Sequence, residues 1–240
     1  MNEKLITEKK WNSYLSEQKD FYEKSSKDMQ VTNHSQHNVE PNYINAILGH
    51  INENPSKWKD KKALDFGCGC GRNIKNLLDL ADFKTVDGCD ISKQNIEFSK
   101  SYVTDIHGES KCKTWETNGC DLNDVSKSES LESNYYDFIM SHQVFQHISN
   151  YEVRYSILSD IFRLLKPKGL ICIHFLNLAG SVSYSENDNA YSSANAKNVW
   201  VNHPSEVIED LKQIGFKDVS VYEGLDYHLS RPEFYFSATK

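Results

Sequence analysis

The chain has 240 residues, 27 Lys and Arg against 34 Asp and Glu, a net charge of −7 at pH 7 and 38% hydrophobic residues. No apolar run approaches the ~20 residues of a membrane-spanning helix, and no Lys/Arg block offers a footprint for a nucleic-acid backbone. The length suits one sizeable α/β domain with a small cap. The polar start Met1-Asn2-Glu3-Lys4-Leu5-Ile6 has no signal-peptide core, so a cytoplasmic location is expected.

Trp11, Tyr14, Leu15, Gln18, Phe21 and Tyr22 recur at helical spacing. They read either as an amphipathic helix packed on the main domain or as a lid closing over a ligand. We place a helical cap or lid at 1–55 and the main domain at 56–240. Residues 25–40, with His34 and His37, read as a loop. Pro41 opens a helix with Tyr43, Ile44, Ile47, Leu48 and Ile51 on one face.

Ala63-Leu64-Asp65-Phe66 is short and largely apolar, as a central parallel strand should be. Gly67, Gly69 and Gly71 then allow a sharp turn and close backbone approach to a ligand, and a helix follows from Asn73. The spacing is G-x-G-x-G rather than G-x-G-x-x-G, and the Lys-Ser/Thr of a phosphate-binding loop is missing. An acid before the glycines, Asp65, suits a cationic or amino-bearing ligand better than a pyrophosphate. Thr85 to Asp90 is a second strand ending in an acid, and Ser92 is a helix N-cap. Asp90 lies where a parallel α/β site takes both ribose hydroxyls on one carboxylate; the alternative is a helix-capping acid.

Lys113 to Glu116 reads as a short third strand, followed by Asn118-Gly119-Cys120-Asp121-Leu122. Tyr136 to Ser141 is the fourth, with a short helix over His142 to Ile148. A helix from Ser156 is stopped by Lys166-Pro167-Lys168-Gly169, and Leu170 to Phe175 is the fifth strand. Residues 176–202 are a polar insertion rich in Ser, Asn and Tyr, placed to shape a pocket. Pro204 to Phe216 is a helix, and Val219–Tyr222 and Phe234–Ala238 are closing strands. The cysteines, Cys68, Cys70, Cys89, Cys112, Cys120 and Cys172, include no C-x-x-C pair and read as free thiols; no metal site is expected.

The D-x-G-x-G-x-G run at Asp65–Gly71, the Asp137-led fourth strand and the Leu164-Leu165-Lys166-Pro167-Lys168-Gly169 unit before an apolar strand come in order. Over about residues 60–240 the chain resembles the class I S-adenosylmethionine (SAM)-dependent methyltransferases of the small-molecule type. The resemblance implies a Rossmann-like seven-stranded sheet with helices on both faces, the last strand antiparallel, and an N-terminal helical lid. It also implies SAM as cofactor. Asp65 would face the methionine amino group, and Gly67, Cys68, Gly69, Gly71 and Arg72 would form the turn around methionine and ribose. Asp90 would take the ribose, Ile91 would pack on adenine, and Cys120, Asp121 and Leu122 would lie at its edge. Ser141 and His142 would border the transferred methyl.

The chemistry implied is in-line displacement at the sulfonium methyl. For a hydroxyl acceptor the base would be His142, then His147, then His174. Tyr22, Gln143, Gln146, Asn177 and Tyr184, with Tyr191 and Trp200, are the substrate candidates. Their polar character points to a small-molecule acceptor, foremost a hydroxyl of a sugar or glycan precursor. N-methylation of a small amine and a non-catalytic SAM-binding protein are the alternatives. Neither nucleic acid nor membrane is expected as a partner; monomer and homodimer both remain open.

Overall fold

The computed structural model describes residues 15–24, 41–127, 130–148, 150–176, 204–225 and 232–240. Its elements are a helix over 15–24 (α1) and a helical run over 41–52 (α2) with a π-helical stretch at Ile44–Leu48. The strand Lys62–Phe66 (β1) and helix Arg72–Leu80 (α3) follow, then Thr85–Asp90 (β2), Lys93–His107 (α4), Thr114–Glu116 (β3) and Tyr136–Ser141 (β4). Tyr151–Leu164 (α5), Leu165–Leu176 (β5), Pro204–Ile214 (α6), Lys217–Leu225 (β6) and Pro232–Thr239 (β7) complete it.

The strands form a seven-stranded sheet in the order β3-β2-β1-β4-β5-β7-β6. Strands β1 to β5 are parallel, and β7 inserts antiparallel between β5 and β6. This is the Rossmann-like methyltransferase arrangement that the sequence implied. The chain winds outward from β1 in both directions, so the sheet has its switch point between β1 and β4, where open α/β sheets leave a crevice at the strands' carboxyl ends.

Period-two alternation assigns the strand residues to two cores. Leu64, Phe66, Ile139, Ile171 and Ile173 face α5 and α6, joining Ile157, Ile161 and Leu211. Ala63, Phe138, Met140 and Cys172 face the other way, against Ile47 and Ile51 of α2 and Ile74 and Leu77 of α3. Helices therefore cover both faces, which is why the central strands read as apolar runs.

Three local expectations are revised. Helix α5 begins at Tyr151 rather than Ser156, because Asn150 caps it by accepting the Val153 N–H at 3.1 Å. Strand β5 begins at Leu165: Lys166–Gly169 does not interrupt it but rides through a register shift opposite Tyr136 and Phe138, with Lys168 at φ +66°. The helix expected after β4 is a single 3-10 turn, Phe145–His147. Among the described residues no helix is long and apolar enough to cross a membrane.

Candidate active site

The turn after β1 is built by three glycines with different tasks. The Gly67 and Cys68 N–H groups donate to the Cys89 carbonyl at 2.8 and 3.0 Å, tying the turn to β2. A Cβ on Gly67 would lie 2.3 Å from Val144, so the turn closes against the one that follows β4. On Gly71 it would lie 2.6 Å from Ser99 Oγ, where α3 packs on α4. Gly69, at φ +49°, has nothing within 4 Å and faces open space. That space is a cavity of about 230 Å³ at the switch point, floored by the glycine turn and bounded by Asp90, Ile91, Thr117, Gly119 and residues 142–144. Leu15, Gln18 and Tyr22 of α1 roof it.

Two carboxylates stand near the glycine turn: Asp90 lines the cavity, and Asp65 lies behind the turn, outside the cavity wall. Asp65, at the end of β1, is fully buried, and neither oxygen meets a hydrogen-bond partner among the described residues. Burial pushes its carboxyl up to about 8, an effect only partly offset by the nearby Arg72 guanidinium and Asn73 amide. A cation beside it would restore the charge. Asp90 is buried but engaged: Oδ2 accepts the Gly69 N–H at 2.9 Å and Oδ1 the Ser92 N–H at 2.9 Å. Burial raises its carboxyl too, opposed by those same bonds. Asp90 thus helps shape the glycine turn while lining the cavity. Of its two readings from sequence, the structure shows the capping bonds of Asp90 and sets the same side chain on the cavity wall.

The wall after β4 carries the histidines. His142 Nδ1 lies 3.4 Å from Arg72 Nη2, so it accepts, which leaves Nε2–H to face the Tyr235 hydroxyl at 3.3 Å. Its ring packs against Tyr43 at 4.5 Å and His174 at 5.1 Å. His147 also lines the cavity; burial pushes its imidazole down to about 4, and Nδ1 is unpartnered among the described residues. The adjacent Gln146 is buried with its Oε1 unpartnered. Gln143 reaches the wall at φ +59°, its N–H held by His174 Nδ1 at 3.3 Å. His174 is fully buried, outside the cavity wall. Ser141 is likewise a brace behind it, its hydroxyl donating to the Phe66 carbonyl at 3.0 Å.

At the far end the structure uses Thr117 and Gly119 where the sequence pointed to Cys120, Asp121 and Leu122. Cys120 and Asp121 sit in a turn closed by Asn118 Oδ1. Leu122 is fully buried: its carbonyl accepts the Trp115 indole at 2.8 Å and its N–H donates to Asp160 at 2.9 Å. Burial also keeps the site thiols protonated, with Cys70 raised to about 11. No group of three or more His, Cys, Asp or Glu among the described residues could hold a metal ion.

Helix α1 is fastened at the site's edge. The Glu23 carboxylate accepts the N–H groups of Lys93 and Gln94 at 2.7 and 3.2 Å and the Ser92 hydroxyl at 3.3 Å, capping α4 from another element. Lys19 pairs with Glu116 at the end of β3. Tyr22 therefore stands over the cavity, 5.9 Å from the His147 ring. Leu15 and Gln18 carried only helical spacing in the sequence, and Glu23 carried no signal there. Asn177, Tyr184, Tyr191 and Trp200 lie outside the described residues.

Comparison with known proteins agrees with this geometry. The model of the methyltransferase-domain family matches residues 64–171. An uncharacterised protein of Rickettsia prowazekii (strain Madrid E) is 30% identical over 140 residues, 58% of this chain and 52% of that one. The N-terminal Xaa-Pro-Lys N-methyltransferase 1 of Rattus norvegicus is 30% identical over 124 residues, 51% of each protein. The chain thus spans about half the length of the curated relatives it matches. The crystal structure of Burkholderia thailandensis 1,6-didemethyltoxoflavin-N1-methyltransferase, with 1,6-didemethyltoxoflavin and S-adenosylhomocysteine bound, superposes with a TM-score of 0.67 at 17% identity. That superposition covers 100% of this chain and 93% of that one.

Proposed function

We propose, from the premise that this chain carries the class I methyltransferase fold and a methyltransferase-domain signature over residues 64–171, that it is a SAM-dependent methyltransferase acting on a polar small molecule. Asp65 carries the reading. A fully buried carboxyl behind a glycine turn, whose burial Arg72 and Asn73 offset only in part, is costly to ionise unless a ligand supplies a further cation. The methionine ammonium of SAM answers that need, the open face of Gly69 leaves room for the ligand, and Asp90 stands on the wall where a ribose diol would lie. In this reading Asp65, the turn backbone, Asp90 and Ile91 hold the cofactor, and Thr117 and Gly119 border its base.

SAM supplies an already activated methyl group, so the chain's own work is alignment, exclusion of water and disposal of a proton. Helix α1 excludes water from above. An amine nitrogen is the acceptor this wall supports best. His147, held near 4, is neutral and weakly basic at physiological pH, and both His142 nitrogens are engaged. An uncharged amine attacks through its own lone pair and needs no strong base. The relatives named as N-methyltransferases favour the same class. A hydroxyl acceptor on a sugar or glycan precursor is the second reading; its proton would pass to the Nδ1 lone pair of His142 once Arg72, which can only donate, releases that nitrogen.

Calorimetric titration with SAM and S-adenosylhomocysteine tests the cofactor. Binding of either, followed by transfer of labelled methyl to a panel of small amines, Xaa-Pro-Lys peptides and sugar nucleotides, is the expected outcome. A folded sample that binds neither would refute the reading. Binding without turnover on any acceptor would favour a non-catalytic SAM-binding protein.

A further inference from the structure

Behind the acceptor wall lies a polar chain that the methyl-transfer reading does not use. It starts at the Gln143 peptide, whose N–H donates to His174 Nδ1 at 3.3 Å. A backbone N–H can only donate, so Nδ1 is the acceptor and the ring proton sits on Nε2. Nε2 then meets Glu233 Oε2 at 3.0 Å. Glu233 Oε1 accepts from Asn42 Nδ2 at 2.7 Å, and Asn42 Oδ1 accepts the Tyr222 hydroxyl at 3.3 Å. The links come from the end of β4, from β5, β7, α2 and β6. The antiparallel register sets Tyr235 opposite His174, so Glu233, two residues earlier, falls on the same face. A Cβ on Gly224 would lie 2.5 Å from Asn42 Nδ2, so the outer end is seated as closely as the inner one.

His174 is fully buried and Glu233 is 4% exposed. An imidazole–carboxylate pair withdrawn from water is costly unless every polar atom is used, and here each has a partner. What the pair grips is unusual in its own right. Gln143 is a non-glycine residue in the left-handed region, a conformation that persists only where its surroundings impose it. Gln143 lines the cavity, next to His142.

We propose that His174 and Glu233 are positioning residues. They lock the Gln143 peptide in its left-handed turn and so aim the Gln143 side chain at the methyl end of the cavity. The proposal rests on the methyltransferase reading for what lies at that end. His174 thereby moves from candidate base to support for a group on the wall.

The test uses two nucleosides that differ at the reacting centre: S-adenosylhomocysteine, and sinefungin, which carries an amine where the methyl would be. Long-range 1H–15N spectra of the full chain should show His174 protonated at Nε2. Glu233→Gln, which keeps the shape but cannot accept both hydrogen bonds, should speed hydrogen exchange at the Gln143 amide about tenfold or more. It should weaken sinefungin relative to S-adenosylhomocysteine about three- to tenfold, the worth of one displaced hydrogen bond. Asn42→Ala, at the outer end, should shift both readouts in the same direction by less, and covers the case in which Glu233→Gln does not fold. His174 protonated at Nδ1, or variants that keep both the Gln143 exchange rate and the sinefungin ratio, would overturn the proposal. Wild-type protein that binds neither nucleoside contradicts the cofactor reading instead, and the Gln143 exchange rates then decide the positioning claim alone.

Discussion

Replacing Asp65 with Asn should make the ligand-free protein more stable and the ligand-bound protein impossible to form well. The folded carboxyl keeps its proton up to about pH 8, while in the unfolded chain it ionises near 3.8. Between those values the native state holds more protons than the unfolded one, so stability falls as pH rises through the window and levels off above it. At 1.36 kcal/mol per unit the penalty reaches roughly 4 kcal/mol at pH 7. Asn removes the ionisation but keeps an unpartnered polar group, which costs about 1–3 kcal/mol of its own. The net gain is then about 1–3 kcal/mol, or roughly 2–10 °C in the thermal midpoint of a chain this size. That gain should be present at neutral pH and turn into a loss of about 1–3 kcal/mol below about pH 4, where wild-type Asp65 is protonated in both states and only the unpartnered amide differs. With the cation-binding partner gone, S-adenosylhomocysteine should bind roughly 10- to 100-fold more weakly, the range for a hydrogen bond to a charged group. Wild-type binding should also release close to one proton at pH 7, read as a dependence of the calorimetric heat on the buffer's ionisation enthalpy. An Asn variant less stable than wild type at neutral pH, or one with undiminished affinity, would refute this account of Asp65.

The glycines offer a contrast. Gly71→Ala places a methyl against Ser99 and should lower the melting temperature through a loss of about 1–3 kcal/mol. Gly69→Ala meets no neighbour, costs only about 1–2 kcal/mol for its left-handed backbone, and should instead lose nucleoside affinity in calorimetry. Asp90→Ala removes the acceptor of the Gly69 and Ser92 N–H groups, so it should both destabilise by about 1–3 kcal/mol and weaken S-adenosylhomocysteine. Loss of stability with affinity unchanged would leave Asp90 a purely structural cap. Glu23→Ala strips the cap that ties α1 to α4, worth about 0.5–2 kcal/mol. Faster limited proteolysis within α1 and faster nucleoside dissociation in stopped flow should follow; unchanged rates would mean that α1 is held by packing alone.

The parts of the fold that were legible are those whose burial is decided locally. Strand β1 is closed by a glycine turn, β2 by Asp90 and β4 by Ser141 and His142, and their limits matched the reading to within a residue. The start of β5 was not legible, because Lys166-Pro167-Lys168-Gly169 carries the composition of a stop. Its continuation as strand depends on Tyr136 pairing with Leu165, a partner in a different element. The same reason displaced the far edge of the cavity. With β3 only three residues long, the chain is already at the cavity by Thr117, while Trp115 draws Leu122 into the core.

The histidines carry this point into the chemistry. In sequence, His142, His147 and His174 are three ranked candidates for one task. In space they are set apart by neighbours that no local pattern supplies. Burial, helped by the neighbouring His174, holds His147 down near 4. Arg72 and Tyr235 occupy both nitrogens of His142, and Glu233 takes the ring proton of His174 from a strand that enters the sheet last in sequence. The sequence separations are 70 residues for Arg72–His142 and 59 for His174–Glu233. Only the antiparallel insertion of β7 beside β5 turns the second pair into a contact. The glycine turn could be read because a turn this sharp at a strand's end needs glycine at fixed steps. The wall after β4 could not, because its contacts follow from topology, and a role there is assigned by testing each histidine against its own partners rather than by its position after a strand.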